Sequence, residues 1–386
     1  MLKFASYSVK KSFIYRLFIN LVNAIIRRIA NQQTSFGKRA LLLAESGSFL
    51  PTLPVNIEEL PAAMQPYFHE SIALPPVYLH FLRQTVVSWH MVVFRKLRIF
   101  LPALAHPREE ENYNDAYLFK EWIGKKKRVS PDARPLALVH NQWTGANYYH
   151  WLVDSLPRLL LLQANYADCR LLMPAPVAAF VWESAAMLGF SELLLLEPGH
   201  TLVNVDLLVP DHVTAPGYQH PTLLRQVREQ LLAKLYTAGQ LPVPHRRVYV
   251  SRRSQRVRRL VNEHAIEEML KQYKYEIVEF ENLSFVEQIK LMAETEQFIS
   301  IHGAGLTNML FLPSAARVGE LMNRDKIICK KNKDFENLIY FRMASALQLP
   351  YYCLPCAGMG DEMLTNEAHL QVDITAFEKL LQLMNK

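Results

Sequence analysis

Apolar residues recur along this chain in two rhythms, a helical one and an alternating or short-run one, and the changes between them divide the sequence. Near the N-terminus Ile14, Leu17, Phe18, Leu21, Val22, Ile25, Ile26 and Ile29 fall on one face at helical period, with Arg16, Asn20, Asn23, Arg27 and Asn31 opposite. This predicts an amphipathic basic helix within residues 1–34. Polar breaks keep the segment from spanning a bilayer, which takes about 20 predominantly apolar residues. With no small-residue cleavage site after it, it does not read as a cleavable signal peptide. Two placements fit: in the interface of an anionic membrane, through residues 10–31, or on the protein's own surface.

Residues 51–107 are rich in proline and in β-branched or aromatic residues, and 85–94 reads as a strand, which predicts an irregular, β-rich entry. The charged stretch 108–135 has few apolar residues in phase and reads as an exposed connection. After Pro135 short apolar runs at 136–140, 170–173, 193–196 and 202–209 alternate with helical stretches at 148–163, 177–188 and 221–236. That is the βαβ rhythm of a parallel sheet covered by helices. A glycine and two prolines within 239–244 interrupt it as an interdomain linker would. Beyond them strands are expected at 247–251, 275–280, 297–301 and 318–322, and helices at 262–272 and 284–294.

The expectation is therefore an α/β protein of two Rossmann-like units facing a cleft, which its 386 residues accommodate. Residues 1–34 form the amphipathic helix, 35–240 the first domain and 241–355 the second. Residues 356–386 form a tail whose helix at 374–384 could return to the first domain.

Half the residues are hydrophobic, as in a globular protein with real cores. The formal charge of +7 favours anionic partners without choosing among phosphorylated substrates, acidic lipid and nucleic acid. No C2H2 spacing, RNP-type strand or arginine-rich arm is present, so nucleic acid is set aside. The four cysteines, Cys169, Cys329, Cys353 and Cys356, are too few and too unevenly spread for a disulfide framework, which fits a reducing compartment. Cys353-Leu354-Pro355-Cys356 is a lone CxxC without a second pair or nearby histidines. It reads as two small apolar residues near a strand end, and no metal site or cofactor is expected.

Chemistry concentrates in three places. At Ile299-Ser300-Ile301-His302-Gly303-Ala304-Gly305-Leu306-Thr307-Asn308 a strand runs into two glycines and then into residues that can open a helix. Glycines permit close backbone approach and positive φ, and the first free N–H groups of a helix attract phosphate. A tight turn needing glycine for geometry alone is the competing reading. GxGxxG fails because Asn308 stands where the third glycine would be, and no GxxxxGK[ST] or GxSxG exists. Secondly, Tyr249-Val250-Ser251-Arg252-Arg253-Ser254-Gln255-Arg256-Val257-Arg258-Arg259 packs arginines behind a strand, and Arg252 and Arg258 are the candidates to neutralise a diphosphate. Glu320, at the end of the next strand, could accept from ribose hydroxyls or form a salt bridge. Thirdly, His150 and Asp154 lie four apart and would share a helix face, where either could serve as a general base, or His150 could satisfy a buried hydrogen bond while Asp154 supports the bend at Pro157.

Taken together these blocks resemble glycosyltransferase family 61. The resemblance rests on Asn147-Tyr148-Tyr149-His150-Trp151-Leu152-Val153-Asp154-Ser155-Leu156-Pro157-Arg158-Leu159, on Tyr249 to Arg252 with Arg259-Leu260-Val261-Asn262-Glu263, on Leu283-Ser284 with Gln288, and on His302 to Asn308 with Glu320-Leu321. It covers residues 135–325 and leaves the first 130 unmatched. It implies a GT-B fold, inversion at the anomeric carbon, no metal, and a nucleotide-sugar donor, by default UDP-linked. His302, Gly303, Ala304, Gly305, Leu306, Thr307, Asn308, Arg252 and Arg258 would hold the donor diphosphate, and Glu320 the ribose. Asp154 or His150 would activate a glycan or lipid-linked glycan acceptor, with domain closure excluding water. Bacterial members of the family point to surface polysaccharide synthesis in the cytoplasm, at the inner face of the membrane. Alternatives are a non-catalytic subunit of a polysaccharide assembly complex and a sugar-phosphate hydrolase or epimerase.

Overall fold

The computed structural model describes residue 36 and residues 41–127, 134–145, 147–237, 240–329 and 338–386. The expected N-terminal helix lies outside them. The fold is α/β. Among the described residues no helix is long and apolar enough to cross a membrane.

The first sheet is built on β1 (Val77–Ser88), β2 (Leu136–Ala137), β3 (Arg170–Pro174), β4 (Leu193–Leu196) and β5 (His200–Pro210), in the order β4-β3-β2-β5-β1. The pairs β4/β3, β3/β2 and β2/β5 are parallel, as the βαβ rhythm predicts, but β5 runs antiparallel to β1, so the sheet is mixed. The strand expected at 85–94 is a hairpin instead: β1 ends at Ser88, and Val93–Arg95 folds back on Val86 and Val87. Nor is 108–135 a plain connection. It holds the helix Asp115–Ile123, capped by the Asn114 side chain, and the short strand Lys125–Lys127 beside β5. Leu118 is buried against Val86, Phe94 and Val203, so tertiary packing supplies what the polar sequence lacks.

The second sheet comprises β6 (Arg246–Val250), β7 (Tyr275–Val278), β8 (Thr295–Ile301), β9 (Arg317–Asn323), β10 (Tyr351–Met359) and β11 (His369–Gln371), in the order β7-β6-β8-β9-β10-β11. All neighbours are parallel except β10 and β11. The strand order reverses between β6 and β8. Ligands of open α/β sheets bind at such a switch point, outside the carboxyl ends of the strands, because the two connections leave it in opposite directions.

The two halves share a buried apolar cluster. Trp151, Leu156 and Leu231 from the first half lie in one cluster with Leu306, Leu310 and Phe341 from the second. Opening the halves widely would expose this surface, which restricts the closure expected from a two-domain arrangement to small movements. The chain also crosses between them earlier than expected. Residues 52–70, assigned above to the first domain, pack on the second: Asn56 Nδ2 donates to Cys353 O (2.8 Å), Cys353 N donates to Asn56 Oδ1 (3.0 Å), and Phe68 meets Phe341 edge-on at 4.9 Å. The last helix, Ile374–Met384, does not return to the first half. Its apolar face, Phe377, Leu380, Leu381 and Met384, is buried with Ile266, Leu270 and Leu321 on the second sheet.

Replacing Asn56 by Ala strands a buried backbone N–H and C=O of Cys353. A loss of about 1–3 kcal/mol is expected, read as a lower urea midpoint at unchanged slope.

Candidate functional site

The end of β6 delivers Ser251 and Arg252, and the end of β8 delivers His302 and Gly303. Parallel register pairs Val250 with Ser300, so the two loops leave the sheet side by side at the switch point. The Arg252 guanidinium lies over Gly303, where a Cβ would sit 3.1 Å from Nη1. Gly303 has φ 165°, ordinary extended backbone, and Gly305 is not in the left-handed region either. Of the two uses the sequence offered for it, the glycine at 303 therefore serves close approach and not positive φ. A helix of 3-10 type, Ala304–Phe311, follows with Gly303 as its N-cap.

Arg252 Nε donates to the carbonyl of Arg258 (3.2 Å), which brings the two guanidiniums into one neighbourhood. Burial and the charge of Arg258 lower the Arg252 pKa. Arg258 has φ +55°, a costly conformation for a long side chain, and its Nε is buried with no hydrogen-bond partner among the described residues. Among the described residues neither arginine forms an ion pair with a carboxylate, whereas the adjacent Arg253 is paired with Glu267 at 3.0 Å and Glu263 at 3.5 Å. Two guanidiniums with no ion pair among the described residues, one of them within range of the Glu281 charge, stand beside backbone N–H groups where an anion can be held.

Not every residue of the 302–308 turn faces that site. Leu306 and Thr307 are fully buried, Leu306 within the shared core, so neither side chain reaches the cleft. Asn308 is 1 % exposed and bridges the halves, accepting from Tyr148 Oη (2.8 Å) and donating to Gln288 Oε1 (3.0 Å). Glu320 does not have the exposure a ribose contact needs. It is fully buried, with one oxygen on His302 Nδ1 and the other accepting from Tyr351 Oη at 2.6 Å. Its position follows from the parallel register of β8 and β9, which sets Glu320 beside Ser300.

On the opposite wall the helix that carries His150 and Asp154 contains a π turn, Trp151–Ser155. Pro157 cannot donate to the carbonyl four residues back, and Leu156 N instead reaches Trp151 O, which widens the helix there. His150 Nδ1 and Asp154 Oδ2 are 2.7 Å apart. The imidazole is 17 % exposed and lines the cleft, while the carboxylate behind it is 11 % exposed and does not. The cleft thus presents two histidines, His150 and His302, each backed by a carboxylate at Nδ1 and each left with Nε2. A carboxylate at one nitrogen fixes the tautomer and the orientation of the ring.

The cleft between these walls holds about 550 Å³ and is lined by Trp143, Tyr149, His150, Arg258, His302 and Tyr340. A second recess of about 300 Å³ joins it at Arg258 and Ala304 and runs past Arg252, Phe280, Gln288 and Gly305. Of these, Trp143, Tyr340 and Phe280 carried no motif in the sequence. The CxxC cysteines Cys353 and Cys356 are buried in the second half, and burial pushes the Cys356 thiol up to about 12, so neither is poised for redox chemistry.

Residues 148–319 match the family model described as Glycosyltransferase 61. Curated relatives share about a third of the aligned residues. The EGF domain-specific O-linked N-acetylglucosamine transferase of Pan troglodytes is 33% identical over 119 residues, which is 29% of this chain and 23% of the relative. That of Drosophila melanogaster is 33% identical over 120 residues, 30% of this chain and 23% of the relative. That of Mus musculus is 32% identical over 119 residues, with 29% and 23% covered. The aligned part is thus under a quarter of each relative's length. All three are animal proteins, and a bacterial polysaccharide acceptor draws no support from them.

Two further histidines, His140 and His212, are held neutral. His140, hydrogen-bonded to Thr144 Oγ1 (2.8 Å), is brought down to about 3 by burial and by the Arg158 charge, and His212, donating to Leu104 O (2.9 Å), to about 4 by the same causes. Both values lie below the ordinary 6.5. The unfolded chain therefore binds these protons first, and stability present above pH 6.5 is lost as pH falls toward the folded-state values. Each histidine contributes a slope approaching about 1.4 kcal/mol per pH unit. Urea titrations between pH 6.5 and about 5 should show this loss, and His140→Gln should reduce the slope by about half.

Proposed function

We propose that this chain, whose residues 148–319 match the Glycosyltransferase 61 family model, is an inverting, GT-B-type glycosyltransferase that moves a sugar from a nucleotide-sugar to a glycan hydroxyl. The observation that carries the reading is the pair Arg252 and Arg258, which form no ion pair among the described residues, at the switch point of a parallel sheet, beside a glycine whose missing side chain leaves room for Arg252. Such a site suits a diphosphate that gains negative charge as it leaves. In this reading the guanidiniums supply the neutralisation a divalent cation could otherwise give, so the reaction is metal-independent. The nucleoside occupies the recess past Phe280 and Gln288, the diphosphate sits at Arg252, Arg258 and the N–H groups of 304 and 305, and the sugar projects into the larger cleft.

In the transfer step the acceptor oxygen forms a bond to the anomeric carbon from the face opposite the phosphate. The carbon–phosphate-oxygen bond breaks, its electron pair leaves with the diphosphate, and the acceptor proton passes to Nε2 of His150. Asp154 then stabilises the imidazolium across the 2.7 Å bond to Nδ1. In this reading His150, which lines the cleft, is the base, and Asp154, which does not line it, is its positioning residue. Glu320 has the same relation to His302, which contacts the donor, and so acts on the donor only through that ring. UDP is the default nucleotide on family resemblance, and the relatives are named for transfer of N-acetylglucosamine. A surface-polysaccharide acceptor is the reading that the family's bacterial members suggest.

The test combines binding and turnover. Calorimetry against UDP, GDP and CMP should show binding of one nucleotide, weakened at least about tenfold in Arg252→Ala and Arg258→Ala. His150→Ala should keep that affinity while kcat falls by roughly 10² to 10⁴. A folded protein that binds none of the three would instead be the non-catalytic subunit of an assembly complex.

A further inference from the structure

The acceptor side of the cleft carries an aromatic side chain that the transfer step does not use. Trp143 is half-buried on the wall of the cleft, and its ring lies 5.1 Å from that of His150, at 47°. Its loop has no regular secondary structure but is pinned at nearly every residue. Asn141 Oδ1 accepts from Trp143 N (2.9 Å) and Thr144 N (3.2 Å), and Gln142 joins Ala105 N (2.9 Å) and His90 O (3.1 Å). The indole N–H itself donates to Glu109 Oε1 at 3.2 Å. The indole is thus held by one polar contact at its edge and by the His106 ring, which stacks nearly parallel to it at 6.4 Å and 13°, while part of its apolar surface borders the cleft.

We propose that Trp143 is the platform on which a pyranose ring of the acceptor stacks. A pyranose has a face of C–H groups and a rim of hydroxyls. The face buries against an aromatic ring, and the rim then points outward to polar groups. A sugar laid on this indole presents its rim to His150, the neighbouring ring and the base of the transfer step, so one contact both binds the acceptor and aims its hydroxyl. The platform lies away from the donor recess, which is lined by Arg252, Phe280 and Gln288 and not by Trp143. It also lies outside the segment that matches the family model, 148–319, so it is a feature of this chain that the family match does not supply. The inference rests on the glycosyltransferase reading and names the part of the glycan acceptor that is held, a pyranose ring, as distinct from the protein acceptor in the relatives' names.

The test is saturation-transfer NMR on the full chain with UDP present, using methyl β-D-glucopyranoside, methyl β-D-galactopyranoside and methyl 2-acetamido-2-deoxy-β-D-glucopyranoside as probes. At least one should show transfer strongest at the protons of one ring face. That signal should weaken about tenfold in Trp143→Ala and in part survive in Trp143→Phe, the size of effect one aromatic contact gives. UDP affinity should be unchanged in both variants, which also shows that they fold. Undiminished transfer in Trp143→Ala, or no pyranoside signal from a protein that binds UDP, overturns the platform alone. Glycosylation of a folded EGF-like domain at a rate indifferent to Trp143→Ala would also overturn it, by giving the site a protein acceptor. Failure of the wild-type chain to bind any nucleotide overturns the donor reading itself, and the platform with it.

Discussion

Parallel pairing of Arg246–Val250 with Thr295–Ile301 is the constraint on which the site depends. It ends both strands at one level, at the point where the sheet's strand order reverses, and so sets the Arg252 loop against the Gly303 turn. Everything that suits an anion there follows from that juxtaposition. Arg252 can lie over residue 303 because residue 303 has no side chain, and its Nε can reach the Arg258 carbonyl because the loop folds back over the strand end. The result is a concentration of positive charge that no carboxylate among the described residues offsets by an ion pair. Such an arrangement is unfavourable until something negative occupies it.

Around these two arginines one chemical device appears twice. His302 is backed by buried Glu320 and His150 by Asp154, each through Nδ1, and they stand on opposite walls of one cleft. The supports differ. Glu320 is fixed by neighbouring strands and by Tyr351, whereas Asp154 is fixed within one helix whose π turn follows from Pro157. The shared apolar core, with Trp151 and Leu156 on one side and Leu306 and Phe341 on the other, holds the walls at a set separation. Preorganisation here comes from packing more than from closure.

Much of this was legible in the sequence because it is local. The alternation after Pro135, the apolar face of 374–384, the i,i+4 relation of His150 to Asp154 and the glycine turn are patterns within a few residues of one another. What failed was non-local. Glu320 reads as a strand-end carboxylate for either ribose or a salt bridge, and β-sheet register, which places it under His302, favours the salt bridge. Residues 52–70 read as part of the first half until Asn56 is seen bonded to Cys353. The strand expected at 85–94 has the right residue types throughout, and only pairing shows that it turns at Trp89 and His90. Trp143 has no motif around it, since its role comes from a cleft wall and not from a spacing.

The measurement that tests the central claim most directly is a crystal structure of the chain soaked with UDP. The account predicts difference density for the diphosphate between the Arg252 and Arg258 guanidiniums, against the backbone of residues 303–305, with the base in the recess beside Phe280. A nucleotide bound elsewhere, or a diphosphate left in solvent while both arginines keep their present positions, would contradict it.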